Sequence, residues 1–230
     1  MTQADDPIQV EVWSDIVCPW CYIGKRRLDR AVAALRDDLT FIPDIVVVYR
    51  PFQLDPRAPL GAAEPVATAY ARKFGGPEQA AAIIERTTAM AAAEGLEFHL
   101  DRALRANTAD AHRLLWWTLG VGGPSAQGAL KEALMRAYFC DGANVADHAV
   151  LVDRAARSGL DANAARGFLA GEDGVEALAV GLSRAADHEI TAVPTYVIDG
   201  RWTVPGAQDS DVFEQVLRRA VAKRAESVDA

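Results

Sequence analysis

The order of apolar and polar positions predicts strands near both ends of the chain and helices between them. Ile8–Trp13 carries β-branched residues at alternate positions, which predicts a strand. The spacing then changes to that of a helix, because Leu28, Val32 and Leu35 share one helical face. The run 45–49 contains β-forming residues without alternation, which is typical of a strand covered on both faces.

The middle of the chain, residues 62–188, is rich in Ala, Leu, Glu and Arg and predicts helices with no strand among them. Asn107 and Asp147 are suited to cap two of the helices, and Gly122-Gly123-Pro124 predicts a break. The predicted helices cover 64–74, 77–94, 107–122, 125–139, 147–157, 161–170 and 174–187.

The pattern of strands returns after residue 188. Thr195–Ile198 and Arg201–Val204 flank Asp199-Gly200, which predicts a hairpin with a two-residue type I′ turn. A helix that begins near Asp209 closes the chain. We therefore predict an α/β fold in which residues 1–61 and 189–230 form one domain, interrupted by an all-helical insertion at 62–188.

Composition and charge exclude several functional classes. Half of the residues are hydrophobic and 24% are charged, which is ordinary for a globular protein. The formal net charge of −8 argues against nucleic-acid binding and against attraction to an anionic membrane. The first residues are polar and acidic and lack the pattern of a secretory signal, so we expect a cytoplasmic location.

Two of the three cysteines, Cys18 and Cys21, have the spacing of a redox pair or of half a metal site. The chain has no second pair of this spacing, and its four histidines are scattered, so we predict no metal. Cys140 stands alone. We interpret it as a small buried hydrophobic residue, with an auxiliary redox thiol as the alternative.

Cys18 and Cys21 follow a predicted strand and open a predicted helix. A helix N-terminus favours a thiolate through its unpaired N–H groups and partial positive charge, and the cations at 25–27 would add to this effect. We expect Cys18 to be the more exposed residue and the nucleophile, and Cys21 to resolve the mixed disulfide. Pro19 suits the first helical position, and Trp20 is expected at the rim of the site.

The chain resembles the DsbA-like branch of the thioredoxin superfamily, and in particular its FrnE-type cytosolic group. Two motifs are specific, Asp15-Ile16-Val17-Cys18-Pro19-Trp20-Cys21-Tyr22-Ile23-Gly24 and Val193-Pro194-Thr195-Tyr196-Val197. Supporting segments are Arg50-Pro51-Phe52-Gln53-Leu54, Asn107-Thr108 with Ala111-His112-Arg113, Ala137-Tyr138-Phe139 with Gly142-Ala143-Asn144, and Gly206-Ala207-Gln208.

The resemblance implies a thioredoxin fold interrupted by a helical domain, with the active site in the groove between them. It places a cis-proline, Pro194 after Val193, beside the cysteine pair, although a proline at a strand start is also tolerated for structural reasons alone. It implies thiol–disulfide exchange on a protein or small-molecule substrate, without a bound cofactor. Because the cytosol is reducing, we expect the isomerase or reductase direction, with glutathione or a cellular dithiol as redox partner.

Four other residues are weaker candidates for the substrate groove. His112 belongs to a supporting segment, yet a histidine among apolar neighbours is more often structural. Asn107 and Thr108 could bind a substrate backbone, but Asn107 could equally cap its helix. Phe52 could line the groove or pack in the core. The sequence does not indicate an oligomeric state.

Two other functions remain open. One is a glutathione-dependent isomerase or transferase of the 2-hydroxychromene-2-carboxylate isomerase and kappa-class type. Members of that group typically have serine at the first motif position and lack the second cysteine, so Cys18 and Cys21 disfavour it. The other is a non-catalytic thioredoxin-like binding module, which would not need both cysteines.

Overall fold

The four-stranded sheet of the computed structural model is built from both ends of the chain. The structure describes residues 6–38, 44–58 and 64–228, with side chains up to Arg224. In the sheet order β2-β1-β5-β6, β1 (Ile8–Ser14) is parallel to β2 (Ile45–Pro51) and antiparallel to β5 (Thr195–Ile198), and β5 is antiparallel to β6 (Trp202–Pro205). The predicted α/β class with a helical insertion is confirmed.

The helices agree closely with those that the periodicity predicts. The long helix α4 (Ala109–Phe139) is interrupted at Gly123, whose φ of 72° is outside the helical range, so the predicted break is correct. Asp147 caps its helix by accepting a hydrogen bond from the N–H of Ala149. The helices are α1 (Pro19–Asp37), α2 (Val66–Phe74), α3 (Pro77–Ala93), α4 (Ala109–Phe139), α5 (His148–Arg157), α6 (Ala162–Ala170), α7 (Val175–Asp187) and α8 (Ser210–Val228).

Three details differ from the predictions. The insertion contains a strand pair, β3 (Glu64–Pro65) with β4 (Leu104–Arg105), and two-residue strands are too short to show a periodic pattern. Strand β2 has buried residues on both faces, Tyr49 on one and Val48 on the other, as predicted, but Val46 and Val47 are only partly buried. The predicted boundary between residues 61 and 62 lies outside the described residues, and the division into domains stays a prediction.

The hairpin is the third difference. Asp199 and Gly200 both have positive φ, 52° and 65°, and Arg201 N donates to Ile198 O at 3.0 Å, as a type I′ turn requires. The strands, however, pair Ile198 with Trp202, so the loop has three residues instead of two.

Three apolar cores divide the interior. Helices α1 and α8 cover one face of the sheet, with Leu28 and Phe213 packed in the same core as Val12. A small core around Trp13 and Ala185 lies where α7, the last helix of the insertion, packs beside the sheet. The third core belongs to the insertion, and it includes the first turn of α1. Within the described ranges, no helix combines the length and apolar character that a membrane crossing requires.

Gly24 lets α1 approach the segment before β5. A Cβ atom at this position would lie 2.3 Å from Oη of Tyr196 and 3.2 Å from Cγ of Pro194. We predict that Gly24→Ala lowers the free energy of unfolding by about 1–3 kcal/mol, because the buried contact cannot open freely. Urea denaturation measures the change.

Gly167→Ala is the matched control, because Gly167 lies within α6 with no atom near its added methyl group. It should stabilise the protein by up to about 1 kcal/mol through helix propensity. Equal effects of the two substitutions would contradict close packing at Gly24.

Candidate active site

Cys18 and Cys21 stand at the start of α1, as the sequence predicts. Cys18 is the residue before the helix, with extended φ and ψ of −87° and 115°, and Pro19 occupies the first turn, where its missing N–H is not needed. The backbone N–H of Cys21 donates to the carbonyl of Cys18 at 3.0 Å, and that of Cys18 donates to Asp15 at 3.3 Å. These hydrogen bonds place both thiols at the N-terminal end of α1.

A second segment lies against Cys18. The Val193–Pro194 peptide bond is cis, as the resemblance implies, and the Sγ of Cys18 is 3.7 Å from the carbonyl oxygen of Val193. Thr195 Oγ1 donates to the carbonyl of Ala192 at 2.8 Å, and the N–H of Gly206 donates to that of Pro194 at 2.8 Å. These bonds hold the segment beside the thiol, 175 residues away along the chain.

The two thiols do not differ in exposure, contrary to the expectation. Cys18 is 3% exposed and Cys21 2%, because the core of the helical insertion covers the first turn of α1. What separates them is the surface that each one faces. Cys18 lines a cavity of about 660 Å³, whereas Cys21 is not among the residues that line it. An approaching molecule therefore meets Cys18 first.

The expected lowering of the Cys18 pKa is also not found. The side-chain hydrogen bond with Cys21, followed by burial, raises the pKa of Cys18 well above its ordinary value. The charge of Asp15 acts in the same direction, while the backbone N–H of Cys21 lowers this pKa only in part. In the reduced protein the helix terminus is thus outweighed by the neighbouring thiol and by the loss of water.

The cations near the motif do not add free positive charge, contrary to the expectation. Lys25 pairs with Asp29 at 2.7 Å and with Glu132 at 2.9 Å, and Arg26 also pairs with Glu132. Arg27 pairs with Glu94 at 2.5 Å and Asp209 at 2.8 Å. Glu94 and Glu132 belong to the helical insertion, so these pairs attach α1 to it and neutralise its cations.

A buried polar cluster lies behind the motif. The carboxylate of Asp15 is 3.2 Å from Nε2 of His112 and accepts the N–H of Leu54 at 2.8 Å. Nζ of Lys131, which is completely buried, donates to the carbonyl of Ser14 at 3.3 Å. His112 and Lys131 lie on α4, so the cluster connects the insertion to the loop that precedes Cys18.

The electrostatics of this cluster are set by burial. Burial alone would raise the pKa of Asp15, but His112, the N–H of Leu54 and Lys131 together lower it. Burial lowers the pKa of His112, and Asp15 offsets this only in part. Burial also lowers the pKa of Lys131 from 10.5 to about 8, although Cys21, Asp15 and Cys18 oppose the change. At neutral pH Asp15 is ionised and His112 is neutral.

The cavity beside Cys18 has an aromatic wall. Trp20, Tyr70, Phe74 and Tyr138 line it, together with Val193, so Trp20 lies at the predicted place. Burial, and after it the charge of Cys18, raises the pKa of Tyr70 to about 12, which reflects how near this ring lies to the thiol. Of these residues, Trp20 and Val193 are predicted support of the active site and Tyr138 belongs to a supporting segment of the resemblance, whereas Tyr70 and Phe74 have no such signal in the sequence.

The weaker groove candidates lie elsewhere. Asn107 donates to the carbonyl of Ala58 at 2.7 Å and accepts the N–H of Ala109 at 2.9 Å, and Thr108 is buried beside it. Phe52 packs against the core around Trp13, and His112 is 4% exposed. None of the predicted groove residues Phe52, Asn107, Thr108 and His112 is among those that line the cavity.

Cys140 follows the last turn of α4 and packs against the insertion core. Burial raises the pKa of Cys140, so the sulfur is held as a thiol rather than a reactive thiolate. In the part of the chain that the structure describes, no three His, Cys, Asp or Glu side chains come together as metal ligands.

Several site residues have no clear signal in the sequence. Lys131 has the spacing of an ordinary surface lysine on an amphipathic helix, and only the packing of α4 on β2 shows it to be buried. Asp15 is the first residue of the motif that carries the resemblance, but its pairing with His112 spans 97 positions of the chain and has no local signal. Tyr70 lies in a segment whose position depends on how the insertion folds back over Cys18.

Comparison with known proteins supports the resemblance. A family model described as the DSBA-like thioredoxin domain matches residues 9–218. The structure of a probable DsbA oxidoreductase from Streptomyces coelicolor is 38% identical, with a TM-score of 0.82, and the match covers 93% of this chain and 89% of that one.

Two more distant structures share the fold. A cytosolic disulfide reductase, DsbM from Pseudomonas aeruginosa with glutathione, is 17% identical, with a TM-score of 0.63 and coverage of 93% and 99%. A 2-hydroxychromene-2-carboxylate isomerase is 15% identical, with a TM-score of 0.66 and coverage of 95% and 98%.

These findings define the protein as a DsbA-like oxidoreductase with a thioredoxin fold. The chain belongs to the family of DSBA-like thioredoxin domains. The FrnE-type branch is consistent with this membership.

The buried Lys131 provides a test of the polar cluster. Between pH 8 and 10.5 the unfolded chain keeps the Lys131 proton that the folded protein has lost, so the contribution of Lys131 to native stability rises with pH in this window. We predict that Lys131→Met raises the free energy of unfolding at pH 7 by about 1–3 kcal/mol, because a charge no longer has to be buried. The gain should shrink as the pH increases to 10. Urea denaturation of both proteins across this range measures it, and a difference independent of pH would contradict the burial of a charged Lys131.

Proposed function

We propose that the protein carries out thiol–disulfide exchange through Cys18 and Cys21. The observation that carries the proposal is the position of Cys18: it lines the cavity, starts α1 and lies 3.7 Å from the Val193 carbonyl of the cis-proline segment. Cys21 lies one turn further on, in side-chain contact with it. Pro19, Trp20, Val193 and Pro194 support this geometry.

The exchange proceeds in two balanced steps. The Cys18 thiolate attacks one sulfur of a substrate disulfide, forming a mixed disulfide, and the other sulfur leaves as a thiolate that takes a proton from water. The Cys21 thiolate then attacks the Cys18 sulfur and releases the second substrate thiol. The enzyme now holds a Cys18–Cys21 disulfide, and glutathione or a cellular dithiol returns two electrons to it.

The environment of Cys18 favours the reductase or isomerase direction. A stabilised thiolate makes the disulfide form a strong oxidant, because it favours the reduced enzyme. The contact with Cys21 and burial both disfavour a Cys18 thiolate, so stabilisation of the thiolate adds little to the oxidising strength of the disulfide form. A cytosolic location, where the glutathione pool is reducing, fits the same direction.

A second candidate is glutathione-dependent isomerisation of a small molecule. The fold shared with an isomerase favours it, as does a cavity of about 660 Å³, a size that holds a small molecule. This activity needs no second cysteine. The presence of Cys21 beside Cys18 therefore favours disulfide exchange.

Substitution of single cysteines tests the proposal. We predict that Cys18→Ser reduces insulin reduction and scrambled-ribonuclease reactivation to background, because the attacking sulfur is gone. Cys21→Ser should instead accumulate a mixed disulfide with the substrate, visible by mass spectrometry and removed by dithiothreitol.

Cys140→Ser is the matched control and should retain native turnover, because Cys140 lies outside the cavity. Native turnover in Cys18→Ser would exclude the mechanism. Glutathione-dependent conversion of a small molecule that survives Cys21→Ser, without disulfide exchange in the native protein, would favour the second candidate.

A further inference from the structure

The cavity beside Cys18 carries charge opposite to that of the whole chain. The chain has 32 acidic and 24 basic residues, yet the cavity is lined by five cations and a single acidic residue, Asp55. The cations come from the loop after β2, from α2, from α3 and from β4. They are Arg57, Arg72, Lys73, Arg86 and Arg105.

Two of these cations are neutralised by acidic neighbours. Arg72 forms two hydrogen bonds with Glu64, at 2.8 and 2.6 Å, and Arg105 contacts Asp55 at 2.6 Å and Glu64 at 3.2 Å. These pairs lower the pKa of Glu64 to about 2, so it is ionised at neutral pH. Together, the side chains of Arg72, Arg105, Glu64 and Asp55 carry no net charge.

The other three cations have no acidic partner among the described residues. Arg57 and Arg86 are exposed, and the structure gives neither a hydrogen bond nor an ion pair to a described residue. Lys73 lies 5.5 Å from the centre of the Phe74 ring. The undescribed stretch 59–63, next to Arg57 in the chain, contains no charged residue. Within the described part of the chain, the charges of Arg57, Lys73 and Arg86 at the rim of the cavity thus have no acidic counterpart.

The positive charges lie around an apolar wall. Phe74 and Leu54 are each 40% exposed and line the cavity with Trp20, Tyr70 and Tyr138. Apolar walls focus the field of nearby charges and attract ligands of opposite sign. A guanidinium is also a planar, two-pronged donor that matches a carboxylate. A substrate that fits would have an apolar or disulfide centre near Cys18 and carboxylates at its ends.

We propose that this cavity selects disulfides that carry carboxylates, and that Arg57 and Arg86 bind those carboxylates. The inference rests on the proposed exchange at Cys18 and names its substrate class. In the exchange, Cys18 bonds to one half of the dianionic disulfide, and the other half leaves as a thiolate and takes a proton from water. Cys21 then releases the second half, and an external dithiol reduces the enzyme again.

Three small disulfides of similar size and different charge test the selectivity. These are 3,3′-dithiodipropionate, which is a dianion, bis(2-hydroxyethyl) disulfide, which is neutral, and cystamine, which is a dication. With dithiothreitol as the recycling dithiol, kcat/KM corrected for the uncatalysed reaction should be about tenfold higher for the dianion than for the neutral compound. It should be lowest for the dication. The ratios should approach one in 0.5 M NaCl, because salt screens exposed charges.

Variants that remove positive charge show which residues cause the preference for the dianionic disulfide. The double variant Arg57→Gln/Arg86→Gln should reduce the ratio of dianion to neutral turnover towards one. Arg166→Gln removes the same kind of charge from an exposed position on α6 that does not line the cavity, and it should leave the ratio as in the native protein.

The outcomes separate this inference from the proposed function. Cys18-dependent reduction of all three compounds at equal, salt-independent rates would overturn the charge selectivity and leave the exchange reaction in place. No Cys18-dependent reduction of any of them, or of insulin, would overturn the exchange reaction itself. Comparison of the native protein with Cys18→Ser decides both points, so the test does not depend on the folding of the double variant.

Discussion

The burial of the first turn of α1 in the core of the helical insertion is the constraint on which the site depends. Cys18 and Cys21 share that core with Phe98 and Phe139, although the helix that carries them packs along the sheet through Leu28. The insertion therefore excludes water from the thiols. Ion pairs from Glu94 and Glu132 to Arg27 and Lys25 attach the same helix to the insertion.

This burial changes the chemistry expected at a helix N-terminus. An exposed thiol there would be stabilised as a thiolate, but the pKa of Cys18 is raised by Cys21 and by the loss of water. The buried Asp15–His112 contact and Lys131 lie behind the motif, while exposed cations lie in front of it. The reactivity of the Cys18 thiol thus depends on how an incoming substrate alters its surroundings. The cations at the rim of the cavity favour a substrate that carries negative charge.

The sequence was sufficient for the parts of the site that depend on local structure. Cys18, Pro19 and Cys21 open a helix after a strand, so spacing and propensity predict their places, whereas the place of Pro194 follows from the resemblance to DsbA-like proteins. The cavity wall depends on contacts between distant segments. The predicted substrate groove was lined by Phe52, Asn107, Thr108 and His112, but none of these four residues lines the cavity. Tyr70 and Arg86 line it instead, and they do so only because α2 and α3 fold over Cys18.

The proposed exchange requires that Cys18 and Cys21 form a reversible dithiol–disulfide pair. Equilibration of the protein in glutathione buffers of graded ratio, followed by alkylation and peptide mapping, tests it directly. We predict one two-electron transition, a disulfide that joins the peptides of Cys18 and Cys21, and a Cys140 that remains a free thiol throughout. Free Cys18 and Cys21 at every ratio, or a disulfide that includes Cys140, would contradict the account.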